Sequence, residues 1–298
     1  MPAIPEDLLP LLARALPDAD PRRAVPLGEG WNAVAWRLPH PAGDWVVRIP
    51  RVEYARGEIE RQTCLGPRLA AAGIPVPLDW QVARVDHGEV AFGLYRYVDG
   101  VPAPRSGATR LKALAGQLAD LLTRLHAIPL EVPLACGAQL HRAWPQFYLD
   151  LIDGWFHAVG PKTRVWLARV REDLTAAIPR PTEEVLLHTD LAPWHLVSDN
   201  QARIRAVLDF LGPCSGDAAL DFGRLVQHWG PDFAEAVLAG YDGATDPGFR
   251  QRMRMYGQLE ALATIRAATG RGIQQWVVWG RRRLAATAAS AFRRQARD

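Results

Sequence analysis

The sequence predicts an α+β protein built from two lobes. Segments typical of strands are concentrated before residue 98, and segments with a helical spacing of apolar residues dominate after residue 108. Between them, residues 98–108 (VDGVPAPRSGA) are rich in Pro, Gly and Ser, which is typical of a domain boundary. We therefore expect a small, mostly β lobe over residues 1–98 and a larger helical lobe over residues 99–298. Ligand sites tend to lie where two such lobes meet.

The predicted elements of the small lobe are a short helix, a hairpin of two strands, a second helix and further strands. In chain order they cover residues 6–16, 28–38, 45–49, 53–72 and 81–98. Gly66 and Pro67 predict a break in the second helix, because both residues disfavour a helix interior. Asp86 and Gly88 mark the turn between the last strands.

The predicted elements of the large lobe are helices, interrupted once by short strands and loops. Helical spacing covers residues 111–128, 141–177, 218–229, 231–240, 248–269 and 273–296. Short strands and loops are predicted at residues 185–199 and 204–211. This interruption carries the most informative residues of the chain.

Composition excludes several classes of protein. Apolar residues make up 49% of the chain and charged residues 22%, so a packed core can form, and the net charge of +3 is too small to indicate nucleic acid or a membrane surface. Cys64, Cys136 and Cys214 are far apart and form no CxxC pair, so we expect neither a disulfide nor a zinc site. Neither a signal peptide nor an 18-residue apolar run is present. We expect a cytoplasmic monomer.

One motif indicates phosphoryl transfer. The stretch His188-Thr-Asp190-Leu-Ala-Pro-Trp-His195 is followed by Asp209 in the segment AVLDFLG. Phosphoryl transfer needs one carboxylate to accept the proton of the acceptor hydroxyl, a second to hold Mg²⁺, and a further metal ligand from the loop of the first. The kinase pattern H-x-D-x-x-x-x-N followed by D-F-G has the same register.

With these residues in place, the sequence resembles the aminoglycoside/macrolide phosphotransferase family, whose fold is that of protein kinases. The resemblance follows the order of the family's segments along the whole chain. Five segments carry it. In the small lobe, residues 45–51 resemble the phosphate-binding strand and residues 73–80 the loop after the regulatory helix. In the large lobe, residues 121–129 resemble the end of the first helix, residues 188–195 the catalytic loop and residues 207–225 the metal loop with the helix after it.

The resemblance implies roles for three residues. Asp190 matches the catalytic aspartate and Asp209 the metal-binding aspartate. His195 falls where most of the family has Asn, and it is expected to be the second ligand of Mg²⁺. The macrolide 2′-phosphotransferases are similar in having His there, and the loop at residues 73–80 also resembles the macrolide branch.

Arg48 matches the family's phosphate-binding lysine. The only lysines are Lys112 and Lys162, both in the large lobe, so an arginine must take this position. A guanidinium can bind phosphate through two donors. Its partner should be an acid on the following helix. Ungapped spacing falls on Gln62, so we expect Glu58, one turn earlier, to pair with Arg48, with Glu60 as the alternative.

Two further segments are expected to bind the nucleotide, GTP or ATP. Gly28 and Gly30 resemble the loop that covers the phosphates, where the backbone must approach closely. The base should lie beside the end of the last strand, with backbone groups of Arg96, Tyr97 and Val98 as its hydrogen-bond partners.

Other polar and aromatic residues have less specific interpretations. His188 is expected to orient the catalytic loop by hydrogen bonds, and Asp217 and Asp221 to fix the metal loop and cap the helix near Ala218. The 11 tryptophans are mostly core candidates. Some lie on helices that resemble the family's acceptor wall, and these could line an apolar pocket: Trp144, Trp155, Trp276 and Trp279.

The leading hypothesis from the sequence is a macrolide 2′-phosphotransferase that moves the γ-phosphate of GTP to the 2′-hydroxyl of desosamine and so confers antibiotic resistance. The alternatives keep the chemistry but change the acceptor to an aminoglycoside or another small sugar or amino alcohol. Two further hypotheses are a pseudokinase that binds nucleotide without transfer, and a hydrolytic metal site that would need His228 as an extra ligand.

Overall fold

The computed structural model describes residues 3–86, 88–137, 139–140, 146–176, 183–210 and 214–295. The predicted α+β class is confirmed: an antiparallel sheet forms the small lobe, and helices dominate the large lobe. The sheet has five strands in the order β1-β2-β3-β5-β4. Its strands are β1 Val25–Glu29, β2 Ala33–Leu38, β3 Trp45–Pro50, β4 Gln81–Arg84 and β5 Val90–Arg96.

Helices cover both faces of this sheet. Helix α1 (Leu9–Ala15) packs Leu12 against an apolar cluster that includes Val47 and Phe92. Helix α2 (Tyr54–Ala71) crosses the other face so closely that a Cβ on Gly93 would lie 2.7 Å from Ile59. The close packing fixes α2 behind strand β3, which carries Arg48.

The break predicted at Gly66 and Pro67 is wrong, since α2 runs through both residues. Gly66 lies against Trp80, where an added Cβ would be 2.2 Å from the indole Nε1, so this position needs a residue without a side chain. Leu65 and Leu69 on either side are fully buried in the core of the large lobe. Burial therefore outweighs the unfavourable helix propensity of the two residues.

The large lobe is built from eight further helices of the described chain. They pack around one apolar core whose members run from Leu65 of α2 to Ala288 near the end of the chain. Among the described residues, none of the helices has the length and apolarity needed to cross a bilayer. The helices are α3 Ala108–His126, α4 Glu131–Leu134, α5 Gln146–Trp155, α6 Pro161–Ala176, α7 Ala219–Trp229, α8 Pro231–Leu238, α9 Phe249–Gly270 and α10 Gln274–Gln295. Single turns of 3₁₀ helix lie at Glu6–Leu8, Pro21–Arg23, Phe156–Ala158 and Pro193–His195.

Helices α7 and α9 approach each other at two glycines. A Cβ on Gly223 would lie 2.5 Å from the Cβ of Tyr256, and one on Gly257 would lie 2.7 Å from Val226. Small residues at a crossing let two helix backbones come close. Helix α7 is thereby held against α9, and polar residues of both helices meet beneath the catalytic loop.

Two small sheets carry the loops of the motif. One has the strand order β10-β9-β6 and the other β7-β11-β8. Within the first, β6 belongs to the predicted linker and pairs with β9, with Val101 opposite Ser198. The linker is thus tied to the large lobe, and the exact boundary at residue 98 stays a prediction. The strands are β6 Val101–Pro102, β7 Gln139–Leu140, β8 Val185–Leu187, β9 Leu196–Ser198, β10 Ile204–Val207 and β11 Cys214–Gly216.

The expectation that no disulfide forms is wrong. Cys64 on α2 and Cys136 in the turn after α4 form a disulfide, with their Cα atoms 5.6 Å apart and 72 positions between them in sequence. The spacing of cysteines along the chain does not report distance in space, and here α2 and the turn after α4 are brought together by the core of the large lobe.

Candidate active site

The catalytic-loop segment follows strand β8 and is held by a buried carboxylate. Asp221 on α7 accepts hydrogen bonds from the backbone N–H groups of His188 (2.9 Å) and Thr189 (2.7 Å). Burial opposes the charge of Asp221, but the hydrogen bond from His126 and the hydrogen bond from the backbone of His188 outweigh it and lower the pKa of Asp221. The carboxylate stays ionised, and it fixes the catalytic loop rather than the metal loop for which we predicted it.

His188 connects the two loops of the site by the kind of hydrogen bonds predicted for it. Its Nε2 donates to the carbonyl of Leu208 (3.0 Å), and its Nδ1 accepts from the N–H of Asp190 (3.2 Å). The side chain is fully buried, and burial lowers the pKa of its imidazole. A neutral ring can donate on one nitrogen and accept on the other, as this geometry requires.

Asp217 accepts a hydrogen bond from the N–H of Ala219 (3.1 Å), in the first turn of α7. This is the helix-capping contact predicted for it. Its carboxylate also bonds Arg252 and the hydroxyl of Tyr256 (3.0 Å). Asp217 is therefore part of the scaffold beneath the site, and its contacts attach α9 to the start of α7.

Asp190 and Asp209 converge on the imidazole of His195. Nδ1 of His195 lies 3.6 Å from Oδ2 of Asp190, and Nε2 lies 3.5 Å from Oδ2 of Asp209. Asp209 has a φ of +62°, a conformation that Asp tolerates better than most residues. The three side chains, separate in sequence, meet at this imidazole, and each is partly exposed.

The tautomer of His195 bears on whether these residues fit a metal ion. Nδ1 lies 2.8 Å from the carbonyl oxygen of Asp190, and a carbonyl can only accept, so Nδ1 carries a proton. In the neutral ring, the lone pair of Nε2 then faces the carboxylate of Asp209. Two hydrogen-bond acceptors that face each other repel, and a cation between them would make this arrangement favourable.

A metal ion here would need ligands beyond the protein. In the part of the chain that the structure describes, no group of three His, Cys, Asp or Glu side chains could hold a metal alone. Mg²⁺ is commonly bound through one or two carboxylates together with substrate phosphates and water. Asp209 fits that pattern, and the neutral imidazole of His195 would add a nitrogen ligand.

Arg48 is bound to the metal loop and to Gln62. Its Nη2 lies 2.7 Å from Oδ1 of Asp209, and its Nη1 donates to Oε1 of Gln62 (2.8 Å). Nε2 of Gln62 donates in turn to the carbonyl of Phe210 (3.0 Å). Burial opposes the charge of Asp209, but the charge of Arg48 outweighs it, so the pKa of Asp209 is lowered. Asp209 is therefore a carboxylate at neutral pH.

The predicted pairing of Arg48 with Glu58 is not found. Glu58 accepts two hydrogen bonds from Nδ2 of Asn32 (3.0 and 3.2 Å), and Glu60 pairs with Arg84. The helical phase of α2 turns Gln62 toward Arg48, the position that ungapped spacing indicated. The prediction that Glu58 pairs with Arg48 is therefore wrong, since an amide and not an acid takes this position.

The glycines of the small lobe mark a bulged hairpin. The register of β1 and β2 shifts between Pro26 and Gly28, and the N–H of Gly30 donates to the carbonyl of Ala33 (2.9 Å). A Cβ added at Gly28 would meet no atom within 4 Å. The chain itself does not require glycine at 28, which is consistent with a ligand approaching the backbone there. Binding of phosphates by this hairpin stays a prediction.

The end of β5 is only partly available to a nucleotide base. The N–H of Arg96 donates to the carbonyl of Leu78, and the N–H of Tyr97 donates to the carbonyl of Asp44, each over 2.9 Å. These two amides are committed to the sheet and its connections. Base recognition along this segment would therefore rest on its carbonyl groups and on Val98.

The predicted acceptor-wall tryptophans separate into different environments. Trp144 lies outside the described residues. Trp155 and Trp276 pack against a small cluster that includes Ile265. Trp279 is 37% exposed and contacts Trp276 edge-on, with ring centroids 5.6 Å apart. Trp276 also contacts Trp31 of the β1–β2 hairpin, at 6.0 Å. Trp31 directly follows Gly30, and this position beside the predicted phosphate loop could have indicated it.

A second charged group beneath the catalytic loop was also missed. Arg224, one turn after Asp221 on α7, donates from Nε to the carbonyl of Thr189 (2.5 Å). Its Nη1 lies 2.6 Å from Oε2 of Glu260, which accepts a hydrogen bond from the hydroxyl of Tyr148 (3.1 Å). The helical spacing from Asp221 could have indicated Arg224. Glu260 stands in no motif.

His228 is a partly buried histidine on the same side of the site. Burial and then the charge of Arg224 lower the pKa of His228 to about 4, while Asp190 acts in the opposite direction and Arg105 and Arg283 lower the pKa further. Its imidazole packs edge-on against Trp194, with ring centroids 5.0 Å apart. His228 is therefore neutral at physiological pH.

This lowered pKa predicts a stability that depends on pH. The unfolded imidazole titrates near 6.5 and the folded one near 4, so the unfolded state binds more protons between these values. The contribution of His228 is fully present above pH 6.5 and is lost as the pH falls toward 4. When the pH falls from 7 to 5, the free energy of unfolding of the wild type should decrease by roughly 1–2 kcal/mol more than that of His228→Gln.

Urea denaturation at both pH values measures this difference. The exposed His157, replaced in the same way, serves as the control. Equal pH dependence in all three proteins would contradict the assignment.

The two-lobed α+β fold, with two acids gathered around one imidazole, defines a kinase-like phosphotransferase architecture. The family model of the APH "Phosphotransferase enzyme family" matches residues 23–256. The chain belongs to this family. No curated protein sequence matches the chain.

Solved structures resemble the whole chain at low sequence identity. Wild-type aminoglycoside 2′-phosphotransferase-IIIa in its GDP complex matches with a TM-score of 0.83 and 20% identity, over 96% of this chain and 98% of that one. Macrolide 2′-phosphotransferase type I matches with a TM-score of 0.76 and 19% identity, over 95% of this chain and 99% of that one. Macrolide 2′-phosphotransferase MphH from Brachybacterium faecium matches with a TM-score of 0.72 and 23% identity, over 94% of this chain and 98% of that one. At these identities the likeness establishes the fold.

Proposed function

We propose that the protein transfers the γ-phosphate of GTP to the 2′-hydroxyl of a macrolide antibiotic and so confers resistance. The observation that carries phosphoryl transfer is the placement of Asp190 and Asp209 within 3.6 Å of the same imidazole. GTP is preferred over ATP in this proposal because three of the similar solved structures are GDP complexes, whereas one holds ATP and one holds ADP. ATP remains the alternative donor.

Each residue of the site has a proposed task. Asp190 orients the acceptor hydroxyl and accepts its proton. His195 and Asp209 would hold Mg²⁺, which would neutralise charge on the phosphates when bound. Arg48 binds phosphate oxygens, and Gln62 holds the guanidinium in place from behind. His188 and Asp221 keep the catalytic loop in position.

The charges beside Asp190 favour an acceptor with few cationic groups. Glu260 lies on this side but is paired with Arg224. Other acids of the helical lobe are paired as well: Asp153 with Arg171, and Glu235 with Arg250 and Arg254. A polycationic substrate would have to compete with these arginines. A macrolide bears a single dimethylammonium group beside its reactive hydroxyl, and Asp190 can serve both.

An exposed aromatic residue of the catalytic loop also favours an apolar substrate. Trp194 is 49% exposed, and we propose that Trp279 on α10, which is 37% exposed, joins it on the acceptor side. Exposed indoles beside a site provide apolar contact area for a large ring. A macrolactone is such a ring.

An aminoglycoside acceptor is the second candidate, favoured by the TM-score of 0.83 to aminoglycoside 2′-phosphotransferase-IIIa. Incubation of the purified protein with Mg²⁺ and either GTP or ATP, together with erythromycin or kanamycin, separates the candidates. A mass gain of one phosphate on erythromycin supports the proposal. Phosphorylated kanamycin with unmodified erythromycin would support the alternative, and nucleotide binding without any transfer would support a pseudokinase.

A further inference from the structure

We propose that Cys64 and Cys136 form a thiol–disulfide exchange site that controls the position of the first part of α2 and, through Gln62, the affinity for nucleotide. The bond joins α2 to the turn after α4, across 72 positions of sequence. The inference rests on the family's nucleotide chemistry and does not depend on which acceptor is used.

Pro67 weakens the continuous helix α2 at one point. Proline has no N–H, so Pro67 cannot donate to the carbonyl of Thr63, and one helix hydrogen bond is missing there. Leu65 and Leu69, on either side of Pro67, are buried in the core of the large lobe. The part of α2 before Pro67 also carries Gln62. A proline inside a helix is a common site of bending.

The disulfide acts on the part of α2 that precedes Pro67. Cys64 lies two residues after Gln62, whose side chain bonds both Arg48 and the carbonyl of Phe210. With the bond intact, this part of the helix is attached covalently to the large lobe. With the bond reduced, it is attached through noncovalent contacts and the interrupted helix. Gln62 would then hold Arg48 less firmly.

The two sulfur atoms differ in accessibility. Cys64 is partly exposed, whereas Cys136 is buried at 8% exposure. The guanidinium of the exposed Arg68 lies 3.2 Å from Sγ of Cys64. Because Cys64 is the more accessible sulfur, an external thiol reaches it first. The guanidinium beside it would stabilise the Cys64 thiolate that the second step of the exchange releases.

A dithiol reductant of the thioredoxin class supplies the two electrons that reduction of the disulfide requires. One of its thiolates attacks Sγ of Cys64, the bond to Cys136 breaks, and Cys136 leaves as a thiolate that takes up a proton. The second thiolate of the reductant then attacks the mixed disulfide and releases Cys64. The reductant becomes a disulfide, and the protein gains two electrons and two protons.

Nucleotide titration of the wild-type protein, oxidised or reduced with dithiothreitol, tests the proposal. Peptide mapping without reductant verifies the Cys64–Cys136 link in the oxidised sample. We expect Mg²⁺·GDP or Mg²⁺·ADP, whichever binds, to bind the oxidised protein about 5- to 10-fold more tightly. Cys64→Ser should behave like reduced wild type under both conditions, and Cys214→Ser should respond to reductant like the wild type.

Hydrogen exchange gives a second readout that needs neither activity nor a variant. On reduction, amides of residues 54–66 should exchange faster, while those of residues 68–71 should change little. Equal nucleotide affinity of the two redox forms, unchanged exchange over residues 54–66, or a peptide map without the link would each overturn the proposal. A failed macrolide assay would not affect it.

Discussion

Asp190→Asn is expected to lower kcat for phosphoryl transfer by about a thousandfold, within the range usual for the loss of a general base. The amide cannot accept the proton of the acceptor hydroxyl. Nucleotide affinity should change little, because Arg48, Gln62 and Asp209 are bonded to one another and not to the carboxylate of Asp190. Steady-state kinetics of phosphate transfer, together with titration of the nucleotide, separate the two effects.

Asp199→Asn is the matched control. Asp199 lies in the turn between β9 and β10, where its carboxylate accepts from the N–H groups of Gln201 and Arg203. An amide oxygen can accept the same bonds, so this variant should keep wild-type kcat. Retention of more than a tenth of the activity by Asp190→Asn would remove Asp190 from the role of base.

Arg252→Met is expected to reduce the free energy of unfolding by about 3–5 kcal/mol, as is usual when one member of a buried ion pair is lost. Arg252 is fully buried on α9, where its Nε lies 2.6 Å from Asp217 and its Nη2 lies 2.6 Å from Asp246. Removal of the guanidinium leaves two neighbouring carboxylates with less compensation. Urea denaturation at pH 7 measures the loss.

Arg254→Met on the same helix provides the comparison. The side chain of Arg254 is 58% exposed and pairs with Glu235 at 3.1 Å. Exposed ion pairs contribute on the order of 1 kcal/mol or less. Similar losses in the two variants would mean that burial does not determine the contribution of Arg252.

The residues of the site that lie within one short motif could be predicted from the sequence. Asp190 and His195 lie between β8 and β9, and Asp209 lies two residues after β10, so local spacing alone predicts that they come close together. Arg48 could be identified because strand β3 is a simple hairpin strand and lysine is absent from the small lobe.

Residues that reach the site from distant helices could not be predicted in this way. Gln62 depends on the rotation of α2 about its axis, which the sequence constrains only to within about a turn. Glu260 comes from α9, and its proximity to Arg224 depends on the close crossing of two helices at Gly223 and Gly257. The disulfide depends on tertiary packing of the same kind.

The order of helices and strands was predictable because apolar periodicity is strong in both lobes. The continuity of α2 was not, because local propensity disfavours a helix at Gly66 and Pro67. Burial of Leu65 and Leu69 and the close approach of Trp80 decide the outcome there. Tertiary packing overrides local preference where enough apolar surface is buried.

The arginine at position 48 has a consequence for chemical probes. Protein kinases carry a lysine on this strand, and a reagent that acylates or sulfonylates it needs a nucleophilic amine there. A guanidinium stays protonated under all ordinary conditions and is a poor nucleophile. The only amine side chains of this protein are Lys112 on α3 and Lys162 on α6. Reagents directed at a small-lobe lysine would therefore leave the strand that carries Arg48 unlabelled.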